Sequence, residues 1–479
     1  MSTESDQVTL ETPHLQTSVL PYGHHITSLV VDDSTDVLAG FRDIDVYHHS
    51  VSNRAFLNSV VGRVANRLPS GETLLSTGAR LHLPGAQGVC LHGGEAAFDT
   101  LPWAPVERSQ SLLFPPDDPD HPVPPPPSDP NEPVAESSTL HRLYSPAGAE
   151  GFPCSLVVEA LVVVLAPEKR EGAHTAAEGK EGTSLGKLKV VLRAKIREDG
   201  DEDIPKGTPV NLTVHWGFRL DDGKDKDVLG HHLWLASDKL VALDDSGLST
   251  GALDPIAQGS PLDFCSQGRQ GPHRTIGDNY PEGGIDRNFL FSHPPTSLQP
   301  SPSTQPPSSS SQWSPRLPSE PQAILTSPSS HLSLRFTSNQ SSVQVYTAPS
   351  LDGTGPARKV AHGGPERGEG EEGEGRARAA KDRAKTEGEG YGKDGLVFLE
   401  FQAPVGAVVH AAGAPKEEKE EGHEGGERNE LARWMRERAE KVGADLGEGK
   451  GGRSWEADGL LRKGQTYENW VEVEVVRLE

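Results

Sequence analysis

The chain predicts an all-β sandwich or barrel, and three features of its 479 residues point there. Runs of β-branched and apolar residues recur along it, Gly, Pro, Asn and Asp stand between them, and helical periodicity is nearly absent. No glycine-rich turn joins a strand to a helix in the manner of a phosphate cradle, which disfavours an α/β enzyme.

Taken in order, His25–Val31 is a β-branched run closed by the turn-forming pair Asp32-Asp33. Leu156–Leu165 (LVVEALVVVL) is apolar enough to be buried on both faces. Leu188, Val190, Leu192, Ala194 and Ile196 alternate with mostly polar or basic neighbours, as in a half-buried strand. Val343 and Val345 alternate with Gln344 and Tyr346, and Val471, Val473 and Val475 with Glu472 and Glu474. One helix is expected, in NELARWMRERAEKVG, where Leu431, Trp434, Met435 and Val442 keep helical spacing and Gly443 supplies a stop.

Five stretches read as disordered loop insertions in a single domain: about 107–137, 167–186, 292–330, 361–394 and 414–458. Proline runs such as FPPDDPDHPVPPPPSDPNEP forbid regular pairing, and charge runs such as ERGEGEEGEGRARAAKDRAKTEGEG forbid burial. Removing them leaves about 300 residues, a size one large domain can carry, and long surface insertions cost little closure entropy.

The 46 Lys plus Arg against 70 Asp plus Glu give a net charge of −24, which repels phosphate backbones and anionic lipid. No nucleic-acid partner and no membrane are therefore expected, and no apolar stretch approaches the roughly 20 residues of a membrane span. The N-terminus, MSTESDQVTLETPH, carries neither a basic nor an apolar leader segment. Cys90, Cys154 and Cys265 are odd in number, widely spaced and without a CxxC, so neither a disulfide framework nor structural zinc is expected. A cytoplasmic monomer fits these features.

Several polar residues stand out from the strand pattern. Gly62, Arg63, Asn66 and Arg67 form a polar, tight-turning segment, and His92 precedes the Gly93-Gly94 pair, where the backbone can approach a ligand closely. Arg67 donates in a fork, Asn66 donates and accepts, and His92 does either, a mixture that suits a polyhydroxy ligand or an ordinary salt-bridged turn. His215 lies in TPVNLTVHWGFRL, which should be continuous strand, and a lone strand histidine is more often packed than catalytic. Asp286 follows a glycine pair and reads as an Asx-turn residue. Gln344 points away from its valine neighbours. Glu400 sits among Val397, Phe398, Leu399 and Phe401, where burial would raise its pKa toward that of a working general base. Adjacent strand residues face opposite ways, so the doublets His24-His25, His48-His49 and His231-His232 cannot chelate with both rings, and no metal is expected.

Read together, GRVANRL, LHGG, SPAGAEGFP, TPVNLTVHWGFRL, HHLWLASDKLVALDDSGLSTG, GSPLDF, GGIDRNF, VQVYT, FLEFQ and LLRKGQTYEN resemble, in order, the aldose 1-epimerase (galactose mutarotase) family. The resemblance implies a large antiparallel β-sandwich of the galactose mutarotase type and interconversion of the α and β anomers of free hexoses, glucose or galactose, without a cofactor. It implies His215 as general acid at the ring oxygen and Glu400 as general base at the C1 hydroxyl. Asn66, Arg67, His92, Asp286 and Gln344 would hold the sugar hydroxyls. Around the acid the pattern departs: Val214 stands where the family usually has Asn, and Trp216-Gly217-Phe218 where it has Ser-Tyr-Phe. Three other functions compete: a hexose-6-phosphate 1-epimerase, a glycoside hydrolase using Asp286 with Glu400, and a non-catalytic sugar-binding protein.

Overall fold

A computed structural model describes residues 7–49, 56–75, 78–116, 118, 134–167, 174–175, 181–197, 207–269, 271, 273–292, 320–366, 389–411, 429–441 and 459–479. Two antiparallel sheets dominate it. The larger has ten strands, in the spatial order Ala104–Pro105, Glu136–Ser145, Leu156–Leu165, Glu181–Ile196, Thr466–Leu478, Leu332–Ser338, Ala323–Ser327, His232–Leu235 and Arg274–Thr275, with His174–Thr175 paired to Glu181–Ile196. The second sheet has six strands, numbered here in chain order: β1 (Trp216–Phe218), β2 (Ser237–Leu243), β3 (Ser249–Pro255), β4 (Asp286–Phe291), β5 (Ser342–Tyr346) and β6 (Val397–Gln402). Their spatial order is β1-β6-β5-β4-β2-β3.

Side-chain alternation explains the sandwich. Trp216, Phe218, Phe289, Phe291, Val343, Val345, Val397, Leu399 and Phe401 share one buried core with Val158, Val162, Val190, Leu334, Phe336 and Val473 of the larger sheet. With period two, the residues between them, namely Gly217, Gln344, Phe398 and Glu400, must face away from that core. The functional face is thus the outer surface of the six-stranded sheet. A further sheet of Val8–Glu11, Leu15–Leu20, His25–Val31 and Thr35–Asp36 completes the N-terminal part.

The expected strands at His25–Val31 and Leu156–Leu165 are present, and the alternating runs around Leu188, Val343 and Val471 lie inside longer strands. Composition overextended several of the insertions. Ala323–Ser327 is a buried strand of the large sheet although it adjoins a Ser/Pro tract. Glu181 already begins a sixteen-residue strand. Residues 107–116 fold back on the outside of the large sheet, where Phe114 is fully buried beside Leu140, Leu161 and Trp470. His362 and Tyr391, near the two ends of the fourth insertion, are buried and share a hydrogen bond of 2.7 Å. Low-complexity tracts end where a side chain can still reach the folded body.

The expected helix runs Glu430–Lys441, with Leu431 and Met435 buried, Trp434 half-buried and the Asn429 side chain capping the Ala432 N–H at 3.1 Å. Val442 and Gly443 lie outside the described residues. The helix covers edge strand β3: Leu431 and Met435 pack with Val241 and Leu290, and Glu430 accepts the Leu253 N–H at 3.0 Å. No helix among the described residues is long and apolar enough to cross a membrane.

Candidate active site

The six-stranded sheet aligns its polar residues by register. Asn288 pairs with Gln344 and Gln344 with Glu400, while Asp286 pairs with Tyr346 and Tyr346 with Phe398. Phe398 pairs in turn with Gly217 of β1. Extending that ladder by one residue brings His215 opposite Glu400, and the imidazole Nε2 lies 3.2 Å from Glu400 Oε1.

The strand expected to run through His215 is broken there. Thr213–Val214 pairs with Val60–Val61, whereas Trp216 onward pairs with β6. Between the two, the His215 N–H donates to the Ser59 carbonyl at 3.0 Å and its carbonyl accepts the Asn58 N–H at 2.9 Å. A change of partner at one residue fixes where the ring projects.

Asp286 is likewise not a turn residue. It opens β4, and its two oxygens receive Gln344 Nε2 at 2.6 Å and Arg67 Nη2 at 3.3 Å. Arg67 begins the short strand Arg67–Pro69, directly after Asn66, whose side-chain oxygen accepts the Arg67 N–H at 2.9 Å. Gly247, in a turn at φ +78°, lies behind the guanidinium; a Cβ there would stand 3.1 Å from Arg67 Cδ. Arg63, by contrast, turns inward, donating to Ser145 and to the carbonyls of Pro146, Pro153 and Cys154.

His92 accepts the Asn66 N–H on Nδ1 at 3.2 Å. This assigns the ring proton to Nε2, so in the neutral ring Nε2 is a donor. That bears on metal binding, because donor atoms of His92, His215 and Glu400 lie within 4.8 Å of one another, a grouping the chain spacing does not reveal. A proton on His92 Nε2 suits an acceptor oxygen rather than a cation. One histidine doublet lies elsewhere than expected: His48 and His49 fall in a short helical turn, Val46–His49, not a strand.

Asn66, Arg67, His92, His215, Asp286, Gln344 and Glu400 all line one cavity of about 540 Å³. That volume is within the usual range of small-molecule sites. Composition and spacing did not single out the aromatic part of its wall: Phe56, Tyr346 and Phe398 also line it. Phe56 is an isolated aromatic in a segment of mixed polarity, and Phe398 reads as a plain apolar strand residue, so neither carried a signal. Arg67 is the one Arg or Lys among the described lining residues.

Burial sets the protonation of the central pair. Glu400 is 2% exposed, and its removal from water, with the Asp286 charge nearby, pushes its pKa up to about 8. His215 is 6% exposed, and the same desolvation lowers its pKa to about 3. Near neutral pH the contact is therefore not an ion pair: a protonated carboxyl faces a neutral imidazole, and the two hold one proton between them. Gln344 Oε1, Glu400 Oε2 and His215 Nδ1 are buried without a hydrogen-bond partner among the described residues. Such orphans cost free energy unless a ligand supplies the missing partners.

The family model described as aldose 1-epimerase matches residues 6–164 and 175–371, about three quarters of the chain. The match includes Asn66, Arg67, His92, His215, Asp286 and Gln344, while Glu400 lies beyond it. Galactose mutarotase of Rattus norvegicus is 26% identical over 287 residues, 59% of this chain and 66% of that protein, so the alignment spans just under two thirds of this relative. Aldose 1-epimerase of Escherichia coli K12 is 26% identical over 213 residues, 44% of this chain and 46% of that one. The GalM/aldose epimerase homologue from C. elegans superposes with a TM-score of 0.56 at 14% identity, covering 99% of this chain and 100% of its own. Galactose 1-epimerase from Lactobacillus acidophilus gives 0.56 at 15% identity, with 98% and 93% covered. These two structures share the fold.

Proposed function

Because this chain belongs to the aldose 1-epimerase family, we propose that it is itself an aldose 1-epimerase, interconverting the α and β anomers of free hexoses such as glucose and galactose. The observation that carries this reading is the 3.2 Å contact between His215 Nε2 and Glu400 Oε1 at a cavity also lined by Asn66, Arg67, His92, Asp286 and Gln344. In a hexopyranose the C1 hydroxyl and the ring oxygen are both bonded to C1, so one adjacent acid–base pair can serve both.

The steps follow from the chemistry of a hemiacetal. With the shared proton on His215, the Glu400 carboxylate takes the C1 hydroxyl proton as the bond from C1 to the ring oxygen breaks. The electrons of that bond go to the ring oxygen, which takes the proton of His215. The open aldehyde turns about C1–C2 and presents its other face. The C5 hydroxyl then attacks C1, returning its proton to His215, and the carbonyl oxygen takes the proton from Glu400. The pair holds one proton in the cyclic states at either end, so nothing else is consumed. Asn66, Arg67, His92, Asp286 and Gln344 hold the sugar hydroxyls, and the orphaned acceptors Gln344 Oε1 and Glu400 Oε2 await donors of that kind.

The competing readings draw less support. A 6-phosphate calls for a cluster of cations, and the one Arg or Lys among the described lining residues, Arg67, is engaged by Asp286. A glycosidase needs a second carboxyl acting at the scissile bond, whereas the Asp286 carboxylate is paired with the Arg67 guanidinium and bonded by Gln344. The three widely spaced cysteines, Cys90, Cys154 and Cys265, suit action in a reducing cytoplasm.

Polarimetry tests the proposal. Fresh α-D-glucose or α-D-galactose should lose its excess rotation faster with the protein present, and Glu400→Gln should slow this by about 10²–10⁴-fold. Hexose binding without acceleration would leave a sugar-binding protein instead.

A further inference from the structure

Phe398 stands two residues before Glu400 on the same face of β6, and its ring centroid lies 4.7 Å from that of His215. Tyr346 backs it at 5.6 Å, and the side chain is 3% exposed. Its seat exists because its cross-strand partner is Gly217. A Cβ on Gly217 would come within 2.9 Å of Phe398 Cε1 and 3.2 Å of Cζ, so the ring occupies the space a side chain there would fill. On its other sides His215 meets the ring of Phe56 at 5.7 Å and that of His92, edge-on, at 5.2 Å. Among the described residues, the other titratable groups lining this cavity are Glu400 on β6, Tyr346 on β5, Asp286 on β4, His92, Arg67 and Tyr391.

We propose that Phe398, seated in the room Gly217 leaves open, is a positioning residue that holds the His215 imidazole against Glu400 and keeps water from it. This rests on His215 being the general acid. An imidazole joined to the backbone by one methylene can swing about two torsions, and a ring fixed 4.7 Å away at a tilt of 59° blocks that swing. The geometry of the pair then survives the arrival and departure of the sugar.

Truncation of the ring separates this role from mere packing. Phe398→Ala should lower kcat about tenfold while KM for galactose stays within about threefold, because a side chain 3% exposed offers a sugar little contact and the main loss is one of alignment. Water admitted beside His215 should move the acid limb of the kcat profile upward by about one pH unit. Phe398→Leu, which keeps an apolar cover, should recover most of the rate and most of the shift. Gly217→Ala, which presses on the same ring from behind, should lower kcat without opening a cavity.

A folded Phe398→Ala with an unmoved acid limb and unchanged kcat overturns the proposal, as does a change confined to KM. Should that variant not fold, Gly217→Ala decides, and an unaltered kcat there is equally fatal. His215→Asn distinguishes the underlying reading: full activity in it removes the acid role altogether. An inactive His215→Asn beside an indifferent Phe398→Ala removes only the positioning role.

Discussion

The proton shared by Glu400 and His215 gives the site a definite pH behaviour. Burial raises the carboxyl to about 8, so the pair keeps its proton below that pH and loses it above. The rate should fall on the alkaline side with an apparent pKa near that value, measured as kcat/KM for the free protein. Stability follows the same group with a worked sign. Glu400 is protonated in the fold but ionised above its ordinary value when unfolded, so its contribution is full below about pH 4.5 and lost as pH rises toward 8. Glu400→Gln removes that loss, and its melting temperature relative to the parent should climb between pH 5 and about pH 8. On the proposed reading Arg67 and Asp286 bind sugar hydroxyls and take no part at the reacting bond. Asp286→Asn should therefore raise KM with a smaller change in kcat, which steady-state polarimetry resolves.

At the scale of elements, short range and long range divide what could be read. The strands His25–Val31 and Leu156–Leu165 were legible because unbroken apolar runs between turn residues need no other information. Glu400 was legible as a carboxylate inside such a run. The break at His215 was not, since its cause is pairing with Ser59 and Asn58, more than 150 residues earlier. Asp286 misled for a like reason: a glycine pair before it signals a turn, while β5 makes it a strand residue. The role of the helix Glu430–Lys441 was hidden too, although its period was plain, because the strand it covers is distant in sequence. Leu431, on the inner face of that helix, is fully buried, and Leu431→Ala should cost about 2–5 kcal/mol in a denaturant titration.

Across the whole molecule, the insertions leave from points that the sheets already hold together. The Ser292 N–H donates to the Ala236 carbonyl at 2.9 Å, and the Ala236 N–H donates to the Gln322 carbonyl at 2.9 Å. One residue thus ties both flanks of residues 293–319. Replacing that stretch with a short Gly/Ser linker should leave the melting temperature and the mutarotation rate near those of the full chain, as expected if one domain carries the insertions. A large loss of either would mean the stretch contributes to the fold or the site. Acid should act on the whole fold in concert: His141, His231 and His362 are buried neutral with pKa values lowered to about 4. Each adds stability above its unfolded value near 6.5 that is lost as pH falls toward 4, at up to about 1.4 kcal/mol per pH unit.

Because the guanidinium of Arg67 is already engaged by the carboxylate of Asp286, the cavity offers an incoming molecule little unbalanced positive field, and the chain around it carries a net charge of −24. Encounter with an uncharged sugar is then governed by diffusion and fit. Turnover of glucose should be nearly indifferent to ionic strength, whereas a uronic acid should be admitted poorly in dilute buffer and better once added salt shortens the reach of the repulsion.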